Sequence, residues 1–499
     1  MDSILLALQS VFSPVSLPVN ILGVALGIVF GALPGLNGVV GVALLLPLTY
    51  GLEPAEGLIM LAGMYMGATY GGSISAILLN IPGTGEAACT ALNGNLLAKH
   101  GRGKEALTHS VIASTIGGVF GCIVLLFFTP TLSQWALKFG YPEMFLISLA
   151  GLTVVGSLMG KSVSKGFFSV SVGLFLAMMG MDKISSNYRF TFDNMHLQSG
   201  ISLVTACVGF FAVAEMLSNL SMGGKGETIK AVKKYRAIDS LKACLHHWKL
   251  VLKCSIIGTI IGILPGTGGA IASYIAYGEA KRTTKDPENF GQNEGCAEGI
   301  LAPEAANNAA VGGSFEPLLV LGIPGSATSA IIYGALTVHG LIPGPQLFNN
   351  NVVIVYALML GLLLSVILMA VAGLSCGNIF SKVLAVDMKY IVPAVMAFSA
   401  IGAYSARNNV FDILLAIVLG VVGLFFQKAG IPIAPCILGI VLGTMAEANL
   451  RRAMTVAVAK EINLFFYIVS RPISVVVILL VILLIYTNMK SAPRAKNAE

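Results

Sequence analysis

Four Pro-Gly pairs interrupt apolar stretches of the sequence, at residues 34–35, 82–83, 265–266 and 324–325. Each pair ends or kinks a helix, because proline has no amide hydrogen and glycine is a weak helix former. Within a bilayer, a broken helix leaves backbone groups unpaired unless they line a wet cavity. Freed amides attract anions and freed carbonyls attract cations. The pairs therefore predict a polar cavity that binds ions.

Small polar side chains stand beside every pair, and their hydroxyls and amides can hydrogen-bond a carboxylate or coordinate a small cation. The predicted substrate ligands are Gly35, Asn37, Gly83, Thr84, Thr267, Gly268, Asn307, Ser326 and Thr328. The predicted ion ligands are Pro34, Gly35, Pro82, Gly83, Pro265, Gly266, Glu304, Asn308, Pro324 and Gly325. The alternative is that the pairs only kink tightly packed helices.

Glu304, Asn307 and Asn308 belong to the stretch "APEAANNAA" at 302–310. Their i, i+3, i+4 spacing puts them on one face of a helix. An ionisable residue entering a membrane segment is a functional candidate. The competing interpretation is that Glu304 complements the helix dipole while the asparagines bind neighbouring helices.

The chain carries an internal duplication. The motif "GALPGLNG" at 31–38 returns 231 residues later as "GILPGTGG" at 262–269. Further along, "YGGSISAILLNIPGTGEA" (70–87) corresponds to "VGGSFEPLLVLGIPGSATSA" (311–330), and "KHG" (99–101) to "VHG" (338–340). Three corresponding stretches in the same order indicate two copies of one unit.

The charges flanking the two copies differ. The first break has no lysine or arginine on either side, whereas the third lies between Lys253 and the "KRTTK" run at 281–285. Since positive charge stays inside, the first hairpin enters from outside and the second from inside. This predicts an all-α polytopic membrane protein with two inverted repeats, re-entrant hairpins and broken helices.

These observations set the expected boundaries. The first repeat covers 1–221, with a hairpin at about 17–50 and a broken helix at about 57–97. A basic cytoplasmic linker covers 222–249. The second repeat covers 250–448, with a hairpin at about 250–280 and a broken helix at about 297–342. An extra C-terminal span and a basic tail occupy 449–499.

Composition supports a membrane location. Of the 499 residues, 56% are hydrophobic and 11% charged, far from the roughly one-quarter charged residues of soluble domains. Apolar runs long enough to span a bilayer lie near 107–129, 143–160, 166–181, 200–220, 352–376, 388–405, 410–427, 431–446 and 463–486. The net charge of +7 follows from topology and lipid headgroups, so no nucleic acid partner is expected.

Enzymatic chemistry is not indicated. The eight cysteines are scattered without CxxC spacing, and the six histidines lack any ligand spacing. Nucleophile–base pairs and phosphate loops are also absent. No enzyme activity, transition metal or resident cofactor is expected.

Taken together, these motifs resemble the large membrane subunit of the tripartite tricarboxylate transporters of bacteria, the TctA family. The resemblance rests on "GALPGLNGVVGVALLLPLTYGL", "GMYMGATYGGSISAILLNIPGTGEAACTALNGNLLAKHG", "APEAANNAAVGGSFEPLLVLGIPGSATSAIIYGAL" and "HGLIPGPQLF". It implies a multi-pass carrier of the bacterial inner membrane that works with a small membrane subunit of about four spans and a periplasmic binding protein. It also implies a citrate-like di- or tricarboxylate cargo, an ion gradient that is often sodium, and an elevator mechanism, in which homodimers are common.

A multivalent anion needs compensating charge in a low-dielectric site. No arginine cluster stands beside the breaks, and Arg471, well inside the last apolar run, is expected to snorkel or pair with a carboxylate. Co-transported cations, sodium or protons, are the expected counter-charge, which favours symport. The alternative function is an ion channel or facilitator for small anions.

Overall fold

The computed structural model describes residues 2–33, 36–158, 163–182, 186–222, 237–266, 268–284, 286–375, 388–479 and 482. The predicted ligands Pro34, Gly35 and Thr267 lie outside these ranges. Across the described residues the protein is predominantly helical, in agreement with the predicted all-α class.

The α-helices are α1 (Asp2–Val11), α2 (Ser16–Ala32), α3 (Gly38–Leu45), α4 (Pro54–Leu79), α5 (Ala88–Leu97), α6 (Gly103–Ala136), α7 (Tyr141–Leu158), α8 (Val163–Ala177), α9 (Leu203–Cys207), α10 (Ala214–Met222), α11 (Ala237–His246), α12 (Trp248–Ile263), α13 (Gly268–Thr283), α14 (Glu298–Leu321), α15 (Ala327–Val338), α16 (Pro345–Asn350), α17 (Val352–Ser375), α18 (Met388–Ser405), α19 (Val410–Lys428), α20 (Ala434–Ala459) and α21 (Leu464–Val469). Short 3-10 helices lie at Leu46–Gly51, Gly85–Ala87 and Met195–Leu197, and π-helical segments at Ala98–Arg102 and Val208–Val213. Two short strands, β1 (Gly180–Met181) and β2 (Tyr188–Arg189), pair antiparallel.

By length and composition, three helical stretches of the described chain are apolar enough to cross a membrane: Gly85–Ala136, Val352–Ser375 and Val410–Lys428. The bent pairs α1 with α2 (63°) and α11 with α12 (83°) bring the number to five if each pair is one span. The helix at the expected span 166–181 ends before the apolar run does. α8 ends at Ala177, and Met181 pairs with Tyr188 in the two-stranded sheet.

The chain divides into two compact units. The first consists of Met1–Ser133 and Ser202–Lys428, and the second of Gln134–Ile201 and Ala429–Glu499. The first unit contains all four Pro-Gly pairs, and therefore the whole candidate site.

Within the first unit, α2 packs against α4 and α12 packs against α14 through glycines. A Cβ atom on Gly31 would lie 2.2 Å from the carbonyl oxygen of Ala68, and one on Gly262 would lie 2.5 Å from that of Ala310. Since real Cβ atoms do not approach so closely, each helix pair requires glycine at these positions. One turn earlier, Gly27 and Gly258 approach the carbonyls of Met64 and Ala306 in the same way.

The half-helices that follow the breaks also contact one another. The N-terminal region of the first unit supplies α3, which packs against α15. In turn, α13 packs against the 3-10 turn Gly85–Ala87 and against α5. Each half-helix that follows a break in one sequence repeat therefore contacts a half-helix that follows a break in the other.

The second unit is held by packing of α20 against α7 and α8 and by ion pairs. Arg471 Nε donates to Glu143 Oε1 at 2.5 Å, so the expectation that Arg471 pairs with a carboxylate is confirmed. Arg189 Nη1 lies 2.6 Å from Glu447 Oε1, and Arg451 Nη1 lies 2.5 Å from Asp182 Oδ2.

Candidate functional site

The helices break at all four Pro-Gly positions. α2 ends at Ala32 and α3 begins at Gly38; α4 ends at Leu79, and its continuation begins with the 3-10 turn at Gly85. The breaks of the second repeat lie between α12 and α13 and between α14 and α15.

The two repeats use the same backbone geometry at corresponding breaks. Leu33 ends α2 with φ −80° and ψ 119°, and Leu264 ends α12 with φ −73° and ψ 122°. Asn80 and Gly322 end α4 and α14 in the left-handed region, at φ 59° and 72°. Glycine and asparagine are the residues that adopt this conformation most readily.

The residues that precede the next half-helices are extended and polar. Asn37 precedes α3, and its Oδ1 accepts the Val40 amide at 3.0 Å. Ser326 caps α15 by accepting the Ser329 amide at 3.1 Å. Thr84 holds the equivalent position in the first repeat, but its buried hydroxyl makes no hydrogen bond within the described chain.

A cavity of about 140 Å³ lies where these breaks meet. Its lining comes from all four: Asn37, Gly38 and Val39; Thr84, Gly85 and Glu86; Ala270; and Thr328, together with Tyr65 and Thr69 of α4. This volume is smaller than that of sites for drug-sized ligands, which begin at roughly 300 Å³. A cavity of this size suits a small solute. Among the described residues, no lysine or arginine belongs to this lining.

The lining residues lie in the first turns of four half-helices, whose free amides carry partial positive charge. Gly38 is the first residue of α3, and Gly85 is the first of the 3-10 turn before α5. Ala270 lies in the first turn of α13 and Thr328 in that of α15. Convergent N-termini of this kind favour an anion.

Three of the predicted substrate ligands, Asn37, Thr84 and Thr328, therefore line the cavity. Gly83 is buried against the backbone of α2, where a Cβ would lie 1.9 Å from the Gly31 oxygen. Gly268 begins α13 at φ 64°.

Ser326 and Asn307 are buried just outside the lining. The Ser326 hydroxyl lies 3.0 Å from that of Tyr65, a lining residue. Asn307 is 1% exposed, and neither its Oδ1 nor its Nδ2 has a hydrogen-bond partner within the described chain. Unsatisfied polar atoms at this depth call for a ligand or a bound water.

Among the predicted ion ligands, Gly266 and Gly325 link the two breaks of the second repeat, because the Gly266 amide donates to the Gly325 oxygen at 3.0 Å. Pro324 is buried, Pro265 is half-buried and Pro82 is exposed. None of these is in the cavity lining.

Glu304 lies in a separate polar cluster. Its Oε1 accepts hydrogen bonds from Ser73 and Thr90, both at 2.5 Å. Its Oε2 accepts from Ser110 at 3.0 Å and Ser114 at 2.8 Å. Four hydroxyl donors satisfy a carboxylate that is fully buried. Asn308 faces elsewhere, with Nδ2 lying 3.3 Å from Met66 Sδ and 3.4 Å from Met369 Sδ.

Sequence reasoning missed two functional candidates, Glu86 and Tyr65. Glu86 lines the cavity only two residues after Thr84, and a carboxylate in an apolar segment is a signal that could have identified it. Tyr65 lies far from any break in the sequence and carries no such signal. Among the described residues, no group of three or more His, Cys, Asp or Glu is arranged to hold a metal ion.

Comparison with known proteins identifies two relatives and a family. A protein of Agrobacterium vitis, "Uncharacterized 52.8 kDa protein in TAR-I ttuC' 3'region", is 37% identical over 455 residues, which are 91% of this chain and 89% of that protein. A second, "Uncharacterized protein in TAR-II ttuC' 3'region", is 37% identical over 200 residues, 40% of this chain and 82% of that protein. No solved structure matches significantly. The model of the tripartite tricarboxylate transporter TctA family matches residues 17–438, and the chain belongs to this family.

Proposed function

We propose that the chain is the large membrane subunit of a binding-protein-dependent secondary transporter that imports a small di- or tricarboxylate together with sodium. The observation that carries the proposal is the cavity where four helix breaks meet. Family membership supplies the broader frame: a multi-pass membrane transporter, not an enzyme, that works with a small membrane subunit and a periplasmic binding protein.

The anionic cargo is supported by the polarity of the cavity. First-turn residues of four half-helices line it, so their amide dipoles point positive charge toward the centre. The Asn37 side chain and the Thr84 and Thr328 hydroxyls add neutral donors. Such donors bind a carboxylate without a fixed countercharge.

Cation coupling is supported by what the lining lacks. Partial charges at helix ends are each about half a unit, and no lysine or arginine of the described chain lines the cavity. A di- or trivalent anion leaves water at a large energetic cost unless further positive charge accompanies it. A co-transported sodium ion supplies that charge.

The inverted-repeat and elevator assignments are supported by reciprocal packing. Contacts of α3 with α15 are matched by contacts of α13 with α5, which is the pattern of a two-fold relation between equivalent elements. Opposite flanking charges support an axis in the membrane plane. All four breaks belong to one compact unit, as a transport domain that carries its cargo requires.

We further propose a small subunit of about four spans, a periplasmic protein that delivers the cargo, the bacterial inner membrane as location, and a homodimer as the assembled form. The family resemblance implies the first three, and homodimers are common among elevator-type carriers. The apolar helices of this chain are compatible with a membrane location.

The test is uptake by the reconstituted complex. The chain, its small subunit and the binding protein are placed in liposomes, and labelled di- and tricarboxylates are screened with and without an inward sodium gradient. Accumulation above the external concentration that requires the gradient supports a symporter. Uptake that only equilibrates, with no gradient dependence, supports the channel or facilitator instead.

A matched pair of variants tests the site itself. Thr84→Val removes a hydroxyl that lines the cavity and has no protein partner, so the fold loses no hydrogen bond. Thr205→Val removes a hydroxyl of α9 that is also buried and unpartnered within the described chain but lies outside the cavity lining. We expect Thr84→Val to lower uptake and Thr205→Val to leave it unchanged. Equal activity of both variants would remove Thr84 from the site.

A further inference from the structure

The cavity proposed for an anion contains a carboxylate. Glu86 is half-buried in the lining, and its carboxylate makes no hydrogen bond or ion pair within the described chain. A negative charge in this position repels a negatively charged cargo, and the low dielectric around it strengthens the repulsion. A carboxylate kept here requires a positive partner that the described side chains do not supply.

Asn307 reaches toward the same place from α14. A Cβ atom on Gly269 would lie 2.5 Å from Asn307 Oδ1 and 3.0 Å from Glu86 Cγ. The two side chains therefore converge on one spot, and glycine at 269 keeps that spot open. Gly269 adjoins Ala270, which lines the cavity, so the spot lies at the cavity wall.

The Asn307 amide is the second, independent indication of a ligand. It is almost fully buried, and both of its polar atoms lack partners within the described chain. Leaving a buried amide unsatisfied is costly. A cation can bind the unpartnered Oδ1, because hard cations prefer carboxylate and amide oxygens. A carboxylate of the cargo can accept hydrogen bonds from the unpartnered Nδ2.

From this geometry we infer that Glu86 and Asn307 bind the co-transported sodium ion at the cavity wall beside Gly269. That the ion is transported together with the cargo rests on the proposed function. Binding of sodium at this site does not depend on it. The ion neutralises Glu86, so the cavity accepts the anion only after the cation has bound. Sodium therefore increases the affinity for cargo as well as driving its uptake.

The experiment measures sodium binding to the purified full-length chain without any carboxylate. Melting temperature is followed as sodium replaces choline or potassium at constant ionic strength, since a ligand of the folded state raises it. Wild type is expected to give a saturable shift specific to sodium. In Glu86→Gln the apparent dissociation constant is expected to rise about tenfold or more, in line with the loss of ligand-shell groups at metal sites.

Gly269→Ala supplies a second variant by a different route. The added methyl group fills the spot between Asn307 and Glu86 and is expected to weaken sodium binding as strongly as Glu86→Gln. Glu288→Gln, at an exposed loop carboxylate, is the charge control. Gly278→Ala is the backbone control, on the same helix with no atom within 4 Å of its Cβ position. Both controls are expected to titrate like wild type.

Two results overturn the inference: a wild-type chain with no sodium-specific shift, or Glu86→Gln and Gly269→Ala variants whose titrations coincide with wild type. Failure of the proposed function looks different. In that case no labelled carboxylate is accumulated by the reconstituted complex, while the sodium titration of the chain alone retains its dependence on Glu86.

Discussion

The hydroxyl of Tyr65 lies 3.0 Å from the hydroxyl of Ser326, which joins the long helix of the first repeat to the N-cap of α15 in the second. Ser314 donates a longer hydrogen bond, at 3.5 Å, to the same tyrosine oxygen. Tyr65 also lines the cavity. The half-helix that carries Thr328 is therefore positioned by a residue from the other repeat.

Removing this hydroxyl tests the positioning. Tyr65→Phe keeps the ring and loses the hydrogen bonds, and a net hydrogen bond is worth about 0.5–1.5 kcal/mol. We expect the KM for carboxylate uptake to rise roughly two- to tenfold, with normal amounts of inserted protein. Tyr274→Phe, at an exposed tyrosine of α13, is the control. An unchanged KM in Tyr65→Phe would mean that Ser326 needs no support from α4.

The glycine contacts predict a stability effect. In Gly258→Ala the new methyl group would meet the Ala306 carbonyl oxygen at 2.1 Å, which forces α12 away from α14. Overpacking of this kind costs about 1–3 kcal/mol, so we expect a clearly lower melting temperature in detergent. Gly278→Ala, with open space at its Cβ position, is expected to melt at or slightly above wild type. Equal melting of the two variants would contradict the close approach.

The Glu304 cluster predicts a difference between two substitutions. Glu304→Ala leaves four buried hydroxyls without their acceptor, and each unsatisfied group costs about 1–3 kcal/mol. We expect little folded protein after extraction, as judged by size-exclusion chromatography. Glu304→Gln retains one acceptor oxygen and should be less damaging. Glu294→Ala, at an exposed carboxylate, is the control. Normal folding of Glu304→Ala would show that the cluster does not stabilise the helices.

The ion pair of the second unit is suited to a double-mutant cycle. Glu143 is fully buried and also accepts from Ser474 at 2.7 Å, so its pairing with Arg471 is well defined. We expect a coupling energy of about 0.5–3 kcal/mol. The pair Arg282–Glu279, whose arginine side chain is 70% exposed, should give no more than about 0.5 kcal/mol. Thermal melting of the single and double variants measures both. Equal coupling in the two pairs would argue against a role for burial.

The helix ends were predictable because proline and glycine act locally. Proline and glycine dictate where α12 and α14 stop, and short polar residues such as Asn37 and Ser326 favour the caps that follow. No tertiary information is needed for this. Thr84 and Thr328 were therefore predictable as candidates from their places beside a break.

The rest of the site depends on pairing between distant elements. Tyr65 reaches the cavity only because α4 packs along the second repeat, and the four hydroxyls around Glu304 come from three different helices. Glu304, Asn307 and Asn308 have the spacing of one helical face, but α14 is surrounded by protein, so each contacts a different neighbour. Periodicity predicts a face and does not say what lies against it.

Glycines contact backbone carbonyls at successive turns between α2 and α4 and between α12 and α14. This close packing opposes sliding of one helix along the other. We therefore expect each pair to move as a single rigid body, so that distances between probes on its two members stay constant during transport. On this expectation, any hinges lie outside these pairs, and the breaks at their ends move with them.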